Sequence, residues 1–134
     1  MRLTSPDSGL IDAVTLLSVC GGHQDLLECM AKSLASHAPR HLADLEQAIR
    51  QREPPRVRYT AHKLRGLVSA FSAAASEAAA ELQQMGEEGR LERAEERCHS
   101  LARMVLLLCA ALASVTVEDL GRVAVACTAH GGAS

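Results

Sequence analysis

One stretch of the sequence repeats its apolar residues with the period of an amphipathic α-helix. The intervals alternate between three and four residues, and the positions are Leu91, Ala94, Cys98, Leu101, Val105, Leu108 and Leu112. This spacing puts all of them on one face of a helix. Because an apolar helix face must be buried against other elements, the stretch predicts a helix over about 90–113 that belongs to a helical bundle.

The composition favours the same kind of core. The 134 residues include one Phe, one Tyr and no Trp, so the interior must be aliphatic. Alanine and leucine dominate, and both favour helix. A chain of this length suffices for one domain, and a net charge of −2 argues against a general nucleic-acid-binding role.

The preceding sequence predicts further long helices. An apolar stripe from Leu26 to Ile49 predicts one helix over about 23–51, with a bend at Pro39. Pro54-Pro55 ends it and starts the next, over about 55–70. An alanine-rich helix follows, capped by Ser72 and running to about Met85. The segment 86–89, Gly-Glu-Glu-Gly, is then predicted to be a turn.

The two ends of the chain are less regular. Residues 1–8 are predicted to be a flexible lead-in, with Asp7 or Ser8 capping a short helix through about Val19. Its apolar face is Leu10, Ile11, Val14 and Leu17. After Ser114 the pattern fades, so 115–127 is either a short helix or extended, and the 115–134 extension is predicted to be partly disordered. The predicted fold is all-α: an antiparallel four-helix bundle over 9–114 with a short additional N-terminal helix.

The helix over 55–70 carries the residues that suggest a function. Its buried stripe is Val57, Ala61, Leu64, Val68 and Phe71. At about 100° per residue, His62 points roughly 140° from the centre of that stripe, toward water. Gly66 lies one turn further along the exposed side, where a glycine costs about 1 kcal/mol relative to alanine. It leaves bare backbone beside the imidazole, so another protein can approach closely.

These residues carry a family resemblance. Ala61-His62-x-Leu64-Arg65-Gly66 resembles the Ala-His-x-Leu-Lys-Gly signature of histidine-containing phosphotransfer (HPt) domains, which are relay modules of bacterial two-component signalling. The segment 16–27 resembles the entry into the family's first long helix, and the similarity covers roughly residues 9–113. Arg65 stands where lysine is usual, which keeps the charge. The sequence departs further at Leu67, Val68 and Phe71-Ser72, where smaller residues are common in the family.

The resemblance implies a phosphorelay intermediate. His62 would accept a phosphoryl group from the aspartyl phosphate of one receiver domain and pass it to the aspartate of another receiver. Lys63 and Arg65 would stabilise the attached phosphoryl group, since their charges are opposite to its charge. The receiver would supply Mg²⁺, and the chain would need no cofactor of its own. We expect a monomeric cytoplasmic phosphocarrier without kinase activity or membrane contact, either free-standing or as a module of a hybrid sensor kinase.

The receiver is expected to dock on the exposed side of the same helix. The residues predicted to form this docking face are Arg58, Tyr59, His62, Arg65, Gly66 and Ser69. Tyr59 is either part of the face or a partly buried rim residue, and Ser69 is either a docking residue or an ordinary surface residue. The basic cluster between Arg50 and Arg65, opposed only by Glu53, suits an acidic partner pocket.

Other functional classes remain as alternatives. One is a helical interaction or dimerisation module without transfer chemistry, in which His62 is replaceable. Another is a metal- or haem-binding bundle, which would need inward-facing ligands. His37 and His41 have a metal-binding spacing, but nothing completes a site and they are interpreted as ordinary helix residues. The five cysteines form no CxxC pair; Cys29, Cys98 and Cys109 are predicted to be small core residues, as in a reducing compartment.

Overall fold

The computed structural model describes residues 10–133, with side chains through residue 125, and its regular elements are all α-helices. They are α1 (Ala13–Cys20), α2 (Gln24–Arg50), α3 (Pro54–Val68), α4 (Ala73–Glu88), α5 (Ala94–Leu112) and α6 (Val117–Ala133). No strand occurs in the described residues, and the predicted all-α class is confirmed. The predicted flexible lead-in, residues 1–8, lies outside the described residues.

Helices α2, α3, α4 and α5 form a closed ring in which each packs on the next and α5 packs back on α2. Short connections at 51–53, 69–72 and 89–93 make successive helices antiparallel. The interior is aliphatic, with Leu34, Leu45, Leu64, Leu82 and Leu101 fully buried. This is the predicted antiparallel four-helix bundle.

The seven apolar positions of the stripe over 91–112 are all buried. Helix α5 itself begins at Ala94, four residues after the predicted start at about 90. Its first turn contains Glu95 and Glu96. Carboxylates there interact favourably with the positive end of the helix dipole. Helix α2 continues through Pro39 as predicted, but Leu26 is 43% exposed and lies outside the buried stripe that Leu27 and Leu34 begin.

The predicted start of the first helix is wrong. Helix α1 begins at Ala13, and its cap is Asp12, whose carboxylate accepts hydrogen bonds from the Thr15 amide at 3.2 Å and the Thr15 hydroxyl at 2.8 Å. The Asp12 amide donates to the Phe71 carbonyl at 2.7 Å, which ties this start to the α3–α4 connection. The predicted apolar face is right for Ile11, which is buried, and for Leu10 and Leu17, which pack against the core. It is wrong at Val14, which is 51% exposed, and it omits Leu16, which is fully buried.

The predicted turn at 86–89 is a second correction. Helix α4 runs on through Glu88, and only Gly89, with φ of 69°, adopts the left-handed conformation that ends it. Gly86 is buried inside the helix, where α4 crosses α3. Its lack of a side chain therefore serves a close helix crossing rather than a turn. The Ser72 cap is confirmed: its hydroxyl accepts from the Ala75 amide at 3.1 Å.

The packed core extends past residue 114, so the predicted boundary of the bundle is too early. Val115 is 4% exposed and Leu120 is fully buried. For this segment the sequence predicts either a short helix or an extended conformation, with partial disorder. In the structure it forms helix α6, which packs on α1. Within the described residues no single helix is long and apolar enough to span a membrane; α5 and 117–125 together meet that criterion but are bent by 111°.

Candidate functional site

Helix α3 presents His62 to solvent. The opposite face of the helix, at Val57, Ala61, Leu64 and Val68, is fully buried in the bundle. The helix starts at Pro54, whose ring is compatible with a first turn. His62 is exposed and makes no hydrogen bond or ion pair with the described part of the chain. Its ring nitrogens are therefore accessible to a reacting partner.

Gly66 leaves an open surface one turn after His62. A Cβ built at Gly66 would have no atom from other parts of the described structure within 4 Å, so no contact among the described residues requires glycine there. Ser69, the residue that ends α3, is also exposed, and its hydroxyl donates to the Gly66 carbonyl at 3.5 Å. The surface from His62 to Ser69 is thus free of large side chains at its centre.

Lys63 is held on one side of His62. Its ammonium nitrogen lies 4.4 Å from the centroid of the Tyr59 ring, a cation–π geometry. Tyr59 is 56% exposed, so it belongs to the surface rather than to a partly buried rim. Lys63 also faces α2: burial lowers the pKa of His41, and the nearby Lys63 charge lowers that pKa further.

Arg65 lies on the other side of the same surface, toward α4. It lines a depression of about 310 Å³ with Gln83, Gln84 and Glu87. The Gln84 amide donates to Glu88 at 3.2 Å, and the Gln83 amide donates to Glu87 at 3.4 Å. The Gln83 carbonyl oxygen is buried without a hydrogen-bond partner in the described structure. Two cations, Lys63 and Arg65, thus flank the exposed imidazole on opposite sides.

The two glutamines lie beside Arg65, a position that the sequence did not reveal. They stand on a different helix, and no local motif marks them. Only the register of Ala79, Leu82 and Gly86 against α3 indicates which α4 residues come to lie beside Arg65. That register depends on the helix crossing at Gly86, a residue that the sequence predicts to be part of a turn.

The predicted basic cluster is divided by ion pairs. Arg50 pairs with Glu46, and Arg56 pairs with Glu53 at 3.3 Å. Arg58, Lys63 and Arg65 make no ion pair within the described residues and remain available to a partner. Arg58 is exposed one turn before His62.

The cysteines and histidines of the described residues form no metal site. Cys20 and Cys98 are buried, whereas Cys29 is exposed, so its prediction as a core residue is wrong. Among the side chains the structure describes, no three His, Cys, Asp or Glu lie close enough together to hold a metal ion. The His37 ring nitrogen instead lies 2.8 Å from the Ser33 carbonyl oxygen.

The exposed His62 side chain thus lies on a helical bundle between two cations, Lys63 toward α2 and Arg65 toward α4, and positive charges in this arrangement suit a small anionic group. The sequence matches the Hpt domain family over residues 30–124, and the chain belongs to this family. The resemblance to HPt domains is thereby confirmed. No curated protein matches the chain.

A solved structure has the same fold. The chain is similar to histidine-containing phosphotransfer protein B (HptB) from Pseudomonas aeruginosa PAO1, with a TM-score of 0.72 and 20% sequence identity. The similarity covers 88% of this chain and 97% of that chain. Hpt domains are phosphocarriers rather than kinases, so this chain has a phosphotransfer role in a phosphorelay.

Proposed function

We propose that His62 is the phosphoacceptor, which takes a phosphoryl group from the aspartyl phosphate of one receiver domain and passes it to the aspartate of another. The observation that carries this proposal is that the His62 side chain is exposed and makes no hydrogen bond or ion pair with the described residues. His62 also lies within the part of the chain that matches the Hpt family. Receiver domains are the partners, and the proposed location is the cytoplasm.

The proposed reaction is a reversible nucleophilic transfer. A lone pair on an unprotonated ring nitrogen of His62 attacks the phosphorus atom of the aspartyl phosphate. The new nitrogen–phosphorus bond forms as the bond to the aspartate oxygen breaks, and the receiver aspartate leaves as a carboxylate. The second transfer is the same step in reverse with another receiver. Because phosphoryl transfer depends mainly on positioning and charge stabilisation, Mg²⁺ supplied by the receiver completes the site.

Lys63 and Arg65 are proposed to stabilise the phosphoryl group on His62. They approach it from the α2 side and the α4 side respectively. Charge-assisted hydrogen bonds to phosphate oxygens are stronger than neutral ones. The Tyr59 ring restricts the Lys63 ammonium to one side, which leaves the front of the imidazole open to the receiver.

Gly66, Arg58, Tyr59 and Ser69 are proposed to contact the receiver. Gly66 lets the partner backbone come close to α3, because no side chain covers that turn. Arg58 is an exposed cation without a partner in the described chain, and it suits the carboxylates around a receiver aspartate.

The test is transfer from a phosphorylated receiver with Mg²⁺ to wild type, His62→Gln and His23→Gln. His23 is also exposed and its side chain makes no capping bond, so this variant is the matched control. We expect wild type and His23→Gln to become labelled and His62→Gln to stay unlabelled with its fold intact by circular dichroism. Labelling of His62→Gln would overturn the assignment. Binding of receivers without any transfer to wild type would favour the alternative interaction module.

The role of Arg65 can be tested separately with Arg65→Gln and Arg65→Lys. Loss of a charge-assisted hydrogen bond corresponds to a transfer rate lower by roughly tenfold or more in Arg65→Gln. Arg65→Lys keeps the charge and is expected to retain most of the rate. Equal rates for Arg65→Gln and wild type would contradict the proposed role.

A further inference from the structure

A long groove runs between α2 and α5, across the bundle from the α3–α4 contact. Its two main depressions have volumes of about 870 and 430 Å³, and they share Ala35 and Cys109, so the groove is continuous. Leu42 and Val105 contribute to its apolar lining. Leu106 also lines it and is 71% exposed, the highest exposure among the large apolar side chains described. His62 does not line this groove.

The α2 side of the groove has an internal symmetry in its sequence. Along the α2 residues that line this groove, one stripe consists of Glu28, Lys32, Ala35, Pro39, Ala43, Glu46 and Arg50. Leu27, Ala31, Leu42 and Ile49 line the groove on the core side of this stripe. The intervals of the stripe read 4, 3, 4 before Pro39 and 4, 3, 4 after it, so Pro39 is the centre of the pattern. Glu46 is half-buried and the other residues of the stripe are exposed. At 1.5 Å per residue the stripe is about 33 Å long.

This pattern is self-complementary when two copies of α2 run antiparallel about a two-fold axis at Pro39. Glu28 of one copy then lies opposite Arg50 of the other, and Lys32 lies opposite Glu46. Each of these two charge pairs occurs twice, because a two-fold interface uses the same patch on both subunits. At the centre, Ala35 lies opposite Ala43, and such small residues allow a close approach of two helices.

We propose that the chain, expected from its sequence to be a monomer, instead forms a two-fold symmetric dimer through the α2–α5 groove, with α2 packed antiparallel against α2 of a second copy. The α2 stripe carries two cations and two anions, and a second copy places an opposite charge beside each of the four. The α5 side of the groove adds one further cation, Arg103. Leu106 lies beside the same central part of the groove and loses its exposure to the second copy.

The pairing is compatible with the rest of the molecule. Arg50 pairs with Glu46 of its own helix, but the Arg50 side chain is 72% exposed and the Glu46 side chain is 47% exposed. Exposed pairs of this kind contribute little to stability, so their charges are available to the second copy. His62 stays exposed on α3 in both subunits, and the proposal does not depend on its phosphorylation.

The test is the oligomeric state of the full chain by sedimentation velocity, from micromolar to millimolar concentration. Wild type is expected to dimerise. Lys32→Glu and Glu46→Lys each place like charges opposite one another twice, and each is expected to weaken dimerisation by about tenfold or more. The double variant Lys32→Glu/Glu46→Lys restores opposite charges and is expected to dimerise like wild type.

Glu77→Lys is the matched control, since Glu77 is exposed on α4, the helix across the ring from α2. It is expected to dimerise like wild type. Circular dichroism establishes that each variant is folded. A wild type that stays monomeric at the highest concentration would overturn the proposal. So would single variants that dimerise as well as wild type, or a double variant that fails to recover.

Discussion

Gly86 on α4 lies directly against the backbone of Arg58 on α3. A Cβ built at Gly86 would be 2.5 Å from the Arg58 amide nitrogen and 2.7 Å from the Pro54 carbonyl oxygen. The first turns of α3 therefore pack on α4 with no room for a methyl group. This crossing fixes α3, which carries His62 one turn beyond Arg58, relative to α4, whose Gln83 and Gln84 lie beside Arg65.

We expect Gly86→Ala to destabilise the protein. Helix propensity alone would stabilise it by about 1 kcal/mol, but the added methyl group meets backbone atoms that cannot rotate away. Overpacking of this kind costs about 1–3 kcal/mol, so the free energy of unfolding is expected to fall. Urea denaturation monitored by circular dichroism measures it. An unfolding free energy equal to or above that of wild type would contradict the close crossing.

We expect Gly66→Ala to stabilise the protein, in contrast to Gly86→Ala, and this variant is the control for helix propensity. The space around Gly66 is open, so the substitution is expected to raise the free energy of unfolding by roughly 0.5–1 kcal/mol. Phosphoryl transfer from a receiver is expected to slow, because the methyl group stands where the partner approaches α3. A more stable protein with an unchanged transfer rate would show that Gly66 is not at the docking surface.

These two glycines show what the sequence can and cannot predict. Around Gly66 the apolar stripe of α3 is regular, and the exposed side follows from its period. Around Gly86 the local sequence has the composition of a turn, and the reason for the glycine is a contact with Pro54 and Arg58, about thirty positions earlier. Local patterns do not contain that information. The same limit explains why Asp12, tied to the Phe71 carbonyl, was not recognised as the first cap.

The prediction of the site follows the same division. The family motif on α3 identified His62, Lys63, Arg65 and Gly66 because they are neighbours in sequence, and the buried stripe fixed which of them face water. Gln83 and Gln84 reach the Arg65 side from α4. Their approach depends on the packing of two helices, which single-helix periodicity does not specify.

We expect the buried thiol of Cys98 to make the protein less stable at alkaline pH. Burial raises the pKa of the Cys98 thiol from 9.0 to about 11. Between these values the unfolded chain has lost the proton that the folded chain still holds. The free energy of unfolding therefore falls as the pH rises from about 9 to about 11. Urea denaturation across this range is expected to show a smaller fall in Cys98→Ala than in wild type.

A matched control is Cys29→Ala, because Cys29 is exposed on α2. Its pH dependence is expected to follow wild type over the same range. If Cys98→Ala and wild type lost stability in parallel, burial of the Cys98 thiol would not be the cause of the alkaline fall.

The most direct test of the central claim is to locate the phosphoryl group on the protein after transfer from a phosphorylated receiver. Phosphohistidine is labile to acid, so peptides should be prepared and fragmented by electron transfer at neutral to basic pH. We predict that the phosphoryl group is found on His62 and on no other histidine. A phosphoryl group on a different residue, or none on a folded protein incubated with several competent receivers, would contradict the account.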